Sequence, residues 1–482
     1  MLCVTAFGDR TTIGGISGAT NGTVQHRITS RLTNSPTLAL MTSTQQHTDT
    51  KLRRGISGPL LYLFILGDVL GAGVYALVGV ISAEVGGAIW MPLMVALALA
   101  LLTAGSYAEL VTKYPKAGGA AVFAERAFRK PFISFLVGFC MLAAGVTSAA
   151  GLAQAFAGGY LTTFVDVPAV PAALVFLVLL ALLNMRGIKE SVRSNVVMTV
   201  IEVSGLVLVI VVVGIFVAGG NGDISRVNEF PPGVGAASAV LAASLIAYYS
   251  FVGFEVSANV AEEVKDVSRV YPKALFGALL TAGVVYLLIG LASSAALAPA
   301  DLAGSSSPLL DVVAATGAGI PAWLFSLVAL IAVANGALLT MIMSSRLTYG
   351  MAEQGLFPSV FGRVLPHRRT PWVAIVATTL VAMALTLTGG LESLSQTVVL
   401  LLLFVFLSTN IAVIVLKKDT VEHKHFRIPV VVPYLAIASC VLLLTQQTAE
   451  IWLRTGILLA VGLALYGAQR LVRGRAKAPS GS

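Results

Sequence analysis

Gly67-Asp68-Val69-Leu70-Gly71-Ala72-Gly73-Val74-Tyr75 places a carboxylate and three glycines inside a stretch otherwise apolar enough for lipid. Glycine is a poor helix former, and an Asp in hydrocarbon is costly unless it faces protein or water. The combination predicts a membrane helix that opens part-way along its length around a ligand at mid-membrane depth. Backbone opened at that depth is tolerated only where protein or a cavity surrounds it.

The rest of the chain supplies the matching environment. Hydrophobic residues make up 57% and charged residues 11%, against ~25% charged in soluble domains, and the mean hydropathy is +0.90. The composition excludes a soluble globular protein and predicts an all-α, polytopic membrane protein. A crossing needs about 20 apolar residues, and twelve stretches qualify: 57–82, 86–111, 131–160, 168–186, 192–218, 236–262, 273–297, 319–348, 371–388, 393–416, 429–447 and 451–470.

The net charge of +9 is a topological signal rather than a nucleic-acid footprint. With the N-terminus cytoplasmic, the inner loops collect Lys113, Lys116, Arg126, Arg129 and Lys130, then Arg186, Lys189 and Arg193, then Lys265, Arg269 and Lys273. Arg363, Arg368, Arg369, Lys417, Lys418, Lys424, Arg427 and the basic tail from Arg470 follow on the same side. The outer loops hold only Arg226, with Arg454 just inside a helix. This is a positive-inside pattern, with contacts to lipid headgroups. It predicts a multi-pass protein of the inner (cytoplasmic) membrane with both termini cytoplasmic.

Residues 1–54 are polar and lack the apolar run of a signal peptide, so they read as a disordered cytoplasmic tail. Met41 offers a second start, which would make 1–40 a start-site artefact. Residues 55–471 form the membrane domain and 472–482 a short cytoplasmic tail. Cys3, Cys140 and Cys440 are too scattered for a disulfide framework. The histidines at 26, 47, 367, 423 and 425 do not cluster, and no metal or other cofactor is expected.

A second interruption, Ser250-Phe251-Val252-Gly253-Phe254-Glu255, lies in the sixth stretch and again carries an acid. Stretches one and six are corresponding members of two five-helix halves, 1–5 and 6–10. Two broken helices in corresponding positions point to an inverted-repeat transporter with its site near the bilayer centre. Opened helix ends expose N–H groups on one side and carbonyls on the other. A zwitterion satisfies both: its carboxylate suits the amides near Ala72, Gly73 and Val74, and its ammonium suits the carbonyls near Ser250, Phe251 and Gly253. The competing reading is that these glycines are helix–helix packing contacts.

These residues resemble the amino acid-polyamine-organocation (APC) superfamily of permeases. Gly71-Ala72-Gly73-Val74-Tyr75 is similar to its first-helix motif, and Pro115-Lys116-Ala117-Gly118-Gly119-Ala120 to its second inner loop. Tyr249 through Pro272, with Gly253-Phe254-Glu255 and Ala261-Glu262-Glu263-Val264-Lys265, resembles the sixth helix and its exit. Ser345-Arg346-Leu347-Thr348-Tyr349-Gly350-Met351-Ala352-Glu353-Gln354-Gly355-Leu356-Phe357-Pro358, followed by Arg369-Thr370-Pro371-Trp372, matches the end of the eighth. The resemblance covers about residues 55–470. It implies twelve transmembrane helices in the leucine-transporter-type (LeuT) 5+5 inverted repeat, with helices 1 and 6 broken, and alternating access. It also places Tyr249 where an arginine/agmatine exchanger has a gating Trp, Glu255 on that exchanger's sixth-helix Glu, and Thr340 near a Trp that sandwiches arginine. An absent aromatic there weakens cation-π recognition. Tyr249, Phe254 and Thr340 together fit a neutral, moderately bulky side chain.

Asp68, Glu202 and Glu255 are the acids set in apolar sequence, and each has two readings: a carrier of the coupling proton, or a hydrogen-bonding brace. Glu202 takes the fifth-helix place where some proton-coupled relatives have a Lys that substitutes for sodium, so it serves a proton or helps to hold a cation. Asn259 and Asn335 tune the pocket or join helices, and Glu262, Glu263 and Lys265 latch a gate or end a helix in solvent. The leading expectation is a proton-coupled amino acid permease working by symport or exchange, with sodium as the alternative driving ion. The alternatives are a polyamine or amine carrier and a non-transporting amino-acid sensor. No nucleophile set, metal cluster or phosphate loop supports an enzyme.

Overall fold

The computed structural model describes residues 56–116, 118–186, 192–366, 368 and 370–477. The expected tail at 1–54 lies outside them, as do Ala117, Lys189, His367, Arg369 and residues 478–482. The structure is 79% helix. Among the described residues there is no strand, and one isolated parallel bridge pairs Ile56 with Val264.

Among the described residues, twelve apolar helices run in order as α1 (Gly58–Val85), α2 (Trp90–Lys113), α3 (Pro131–Phe156), α4 (Ala169–Met185), α5 (Val192–Ala218) and α6 (Ala236–Tyr249), followed by α7 (Val267–Ala296), α8 (Ala322–Glu353), α9 (Trp372–Thr386), α10 (Leu391–Leu416), α11 (Val431–Thr445) and α12 (Ala449–Lys477). Nine are long and apolar enough to cross a membrane, counting α6 with the 3₁₀ turn that continues it to Glu263. The others, α4, α9 and α11, have 17, 15 and 15 residues. At ~1.5 Å per residue they reach roughly 22–26 Å, short of ~30 Å of hydrocarbon. α12 continues past residue 472 to Lys477, through Gly474.

Packing sorts the helices into two groups. α1 and α2 each pack on both α6 and α7, while α3 packs against α8, α9 and α10. Small residues bring the backbones together, as expected where lipid gives helices no reason to associate. A methyl on Gly67 would overlap the Thr199 hydroxyl, and one on Gly205 would meet the Tyr75 hydroxyl and Val328, so α5 lies hard against α1. A methyl on Gly145 would overlap the Ser344 hydroxyl where α3 crosses α8.

One end of the bundle is tied by a polar clasp. Buried Glu109 of α2 receives Lys417 Nζ at 3.0 and 3.1 Å and the Ile428 N–H at 2.9 Å. Thr112 Oγ1 accepts the Phe426 N–H at 3.0 Å, and Lys113 Nζ donates to the Leu416 carbonyl at 2.6 Å. The Tyr114 hydroxyl donates to Asp419, whose carboxylate also faces Arg126 at 3.8 Å. The hydrogen bond from Tyr114, assisted by Arg126, holds Asp419 below the usual carboxylate range.

Candidate functional site

Both interruptions are present in the backbone. In α1 the helix loses its geometry at Gly71, with φ −16° and ψ −167°. α6 ends at Tyr249, and a 3₁₀ turn starts at Phe254 after Gly253, whose φ of +125° suits glycine. The two breaks touch each other through glycine on both sides. A methyl on Gly73 would lie 3.0 Å from Ser250 Cα, and one on Gly253 would lie 2.7 Å from the Asp68 carbonyl oxygen and 3.2 Å from Asp68 Cγ.

Tyr286 of α7 completes this junction. Its hydroxyl donates between the Val69 carbonyl at 2.6 Å and the Ser250 carbonyl at 3.0 Å, so one proton serves both opened segments. Its ring stacks edge-on against Phe251 at 5.1 Å. Sequence reasoning passed over Tyr286, although a tyrosine in an apolar helix must find an acceptor for its hydroxyl.

A cavity opens beside the breaks. Asp68, Gly71, Gly73, Tyr249, Ser250, Gly253, Glu255 and Thr340 line it. No atom lies within 4 Å of where a Gly71 methyl would stand, so that face of the break is open. Phe251 and Phe254 are buried elsewhere: Phe254 stacks on Phe406 at 5.5 Å and meets Tyr107 edge-on. Val74 is buried away from the cavity, and the side chain of Ala72 lies outside the described set. Asn259 sits against the turn at Gly119 rather than in the cavity. Glu263 and Lys265 meet the start of α1 through backbone bonds to Ile56, each 3.0 Å.

The three acids have different surroundings. Glu255 Oε2 accepts the Gly253 N–H at 2.9 Å, capping the turn it begins. Asp68 lines the cavity with Oδ2 buried and without a hydrogen-bond partner. Glu202 is fully buried on α5, and neither carboxylate oxygen has a partner. Its backbone carbonyl, by contrast, accepts the Tyr75 hydroxyl at 2.7 Å. Asp68 stands within electrostatic reach of both glutamates. At the opposite side of the cavity, the Tyr249 hydroxyl pairs with Ser148 Oγ at 2.8 Å, joining α6 to α3.

The sequence profile described as amino acid permease matches residues 57–457, spanning both breaks and every residue that lines the cavity. The chain belongs to the amino acid permease family. The permease is 27% identical over 450 residues to the methylthioribose transporter of Bacillus subtilis, covering 89% of this chain and 95% of that one. It is 26% identical to the branched-chain amino acid permease BcaP of the same organism, covering 87% and 93%. It is 29% identical to the low-affinity putrescine importer PlaP of Escherichia coli over 308 residues, covering 62% and 67%. It is therefore a multi-pass membrane transporter, not an enzyme.

Proposed function

We propose that the permease moves amino acids across the cytoplasmic membrane by alternating access, with the cavity between the two breaks as its substrate site. The observation that carries this reading is the meeting of two opened helices at a cavity inside a family match. In this reading all twelve apolar helices span the membrane, the short ones by local thinning of the bilayer and snorkelling of flanking residues. The packing of α1 on α6, α2 on α7 and α3 on α8 supports a 5+5 inverted repeat. The clasp end, rich in Lys and Arg, is cytoplasmic together with both termini.

The substrate's carboxylate takes backbone amides near Ala72, Gly73 and Val74, and its ammonium lies near Ser250, Phe251 and Gly253. Tyr249 closes the cavity through Ser148, and Thr340 borders the side chain. Asp68, Glu202 and Glu255 are the candidate carriers of the coupling proton. Unpartnered Glu202 supports the carrier reading over the brace, since a brace needs something to hold. Sodium is the alternative driving ion, with Glu202 as its carboxylate.

An amine carrier is the second reading, favoured by two acids and no basic residue among the described residues of the cavity wall and by a relative named for putrescine. A sensor would bind without moving its ligand. Thermal stabilisation by each amino acid and by common polyamines separates the first two, because a ligand that binds the folded state raises its melting temperature. Flux into proteoliposomes with and without a pH gradient then tests movement and coupling. Stabilisation and proton-dependent uptake of an amino acid are expected. Stabilisation by polyamines alone would replace the reading with the amine carrier, and binding without flux would make the protein a sensor.

A further inference from the structure

The cavity has two chemically different walls, and we propose that they sort its ligands: Asp68 anchors the substrate's ammonium, while the wall built by α3, α8 and α10 accepts only an uncharged, apolar side chain. The inference rests on the transport reading above and narrows its substrate class.

The anchor is chosen by elimination among the lining residues. Two acids line the cavity. Glu255 already commits an oxygen to the Gly253 N–H. Tyr286 already donates to the Ser250 carbonyl. Asp68 Oδ2 and Ser250 Oγ are the buried polar side-chain atoms of the described lining that lack a partner. Ser250 is only 1% exposed, and the Gly73 backbone lies directly beneath it. An ammonium placed between them donates to both and cancels the buried charge, which is the condition for keeping an acid in such a site.

The remaining wall offers no place for a second charge. Met141, Ala144, Leu152, Met343, Val398 and Leu402 supply it with methyl, methylene and thioether surface. Its hydroxyls are already engaged, Ser148 with Tyr249 at 2.8 Å and Thr340 with the Gly336 and Ala337 carbonyls at 3.1 and 3.0 Å. A lysine or diamine whose far ammonium reached this wall would leave it unpaired, whereas a branched aliphatic or thioether side chain fills the space with like surface. Methionines there also adjust to side chains of different shape.

The test uses the full chain, purified, with dissociation constants taken from ligand-dependent melting. L-Leucine and L-methionine are compared with 4-methylpentanoate, which is leucine without its ammonium, and with L-lysine and putrescine. Leucine and methionine should bind at least about 30-fold more tightly than 4-methylpentanoate, the lower end of what losing one partner of a buried charge pair costs. Lysine and putrescine should bind at least about 10-fold more weakly than leucine. Asp68→Asn should weaken leucine by about 30-fold or more, and Asp68→Glu should recover part of the loss. Lysine binding as tightly as leucine would overturn the apolar wall and leave amino acid transport standing. Unchanged leucine affinity in folded Asp68→Asn would overturn the anchor. Should that variant not fold, the ratio of leucine to 4-methylpentanoate in the unaltered protein decides the point. No stabilisation by any ligand would overturn the transport reading, and this inference with it.

Discussion

Replacing Tyr286 with Phe removes one oxygen from the point where both breaks meet and keeps the ring against Phe251. The lost hydroxyl lies 2.6 Å from the Val69 carbonyl and 3.0 Å from the Ser250 carbonyl. Its single proton is shared, so the variant loses one donor and leaves two buried acceptors competing for none. A buried group without its partner costs about 1–3 kcal/mol, and the retained ring keeps any cavity term small. The folded state should therefore lose about 1–3 kcal/mol, a drop in melting temperature of roughly 2–6 °C at about 2 °C per kcal/mol. Melting of purified protein followed by intrinsic fluorescence reads this directly. Tyr62→Phe provides the comparison, since the Tyr62 hydroxyl makes one bond, to Thr281 at 2.9 Å, from a half-buried position. If Tyr286→Phe melts no lower than Tyr62→Phe, the hydroxyl does not tie the breaks together and the junction must rest on the glycine contacts alone.

Gly253→Ala forces a side chain into φ +125° and sets its methyl 2.7 Å from the Asp68 carbonyl. It should cost about 1–3 kcal/mol in backbone strain alone and abolish substrate stabilisation; normal uptake by this variant would show that the breaks need not touch. Glu202→Gln should bind substrate normally and lose uphill uptake driven by a pH gradient, and an unchanged gradient dependence in proteoliposomes would return Glu202 to the brace reading. Glu109→Ala should destabilise the clasp by about 1.5–3 kcal/mol through Lys417 and the Ile428 amide, checked by melting against Glu109→Gln. Asp419 has its carboxyl held below the usual range. Its contribution is therefore full above about pH 4 and fades only as pH falls through the lowered value. Asp419→Ala should melt lower than the unaltered protein at neutral pH, with the gap closing in strong acid; a gap that closes between pH 7 and 5 would contradict that sign.

The breaks were legible because a carboxylate flanked by glycines is costly in an apolar run unless the helix opens there. Gly71, Gly73 and Gly253 each sit where the backbone opens or closely approaches its counterpart. Gly67 carried the same local signal, yet it serves packing against Thr199, a distinction that depends on where α5 lies. Side-chain direction at the second break was not legible. Phe251 and Phe254 flank a glycine at positive φ, and such a residue turns the chain by an amount that no helical wheel describes. Both rings consequently face protein instead of the cavity. Tyr286 was hidden for a different reason: Val284-Val285-Tyr286-Leu287 looks like ordinary core, and the need for α7 to cross both breaks has no local trace. The apolar wall was equally anonymous, since Met141, Met343 and Leu402 are separated by long stretches and acquire meaning only when α3, α8 and α10 converge.

The contacts at the junction divide the bundle mechanically. Gly73 meets Ser250 and Gly253 meets Asp68, so each break supplies a glycine to the other's polar residue, and Tyr286 bonds both. Moving one break without the other would strand buried carbonyls, which favours their motion as one body with α7. The boundary on the cavity side is different in kind. There the described contact between polar side chains lining the cavity is the Ser148–Tyr249 pair, and its surroundings are methionine, alanine and leucine, surfaces that slide without losing hydrogen bonds. Separation along that boundary costs one hydroxyl pair, whereas separation along the junction costs a shared proton and two backbone contacts at van der Waals limits. In the transport reading the cavity would therefore open most easily between the paired breaks and the apolar wall, the same surface on which the substrate's side chain would rest.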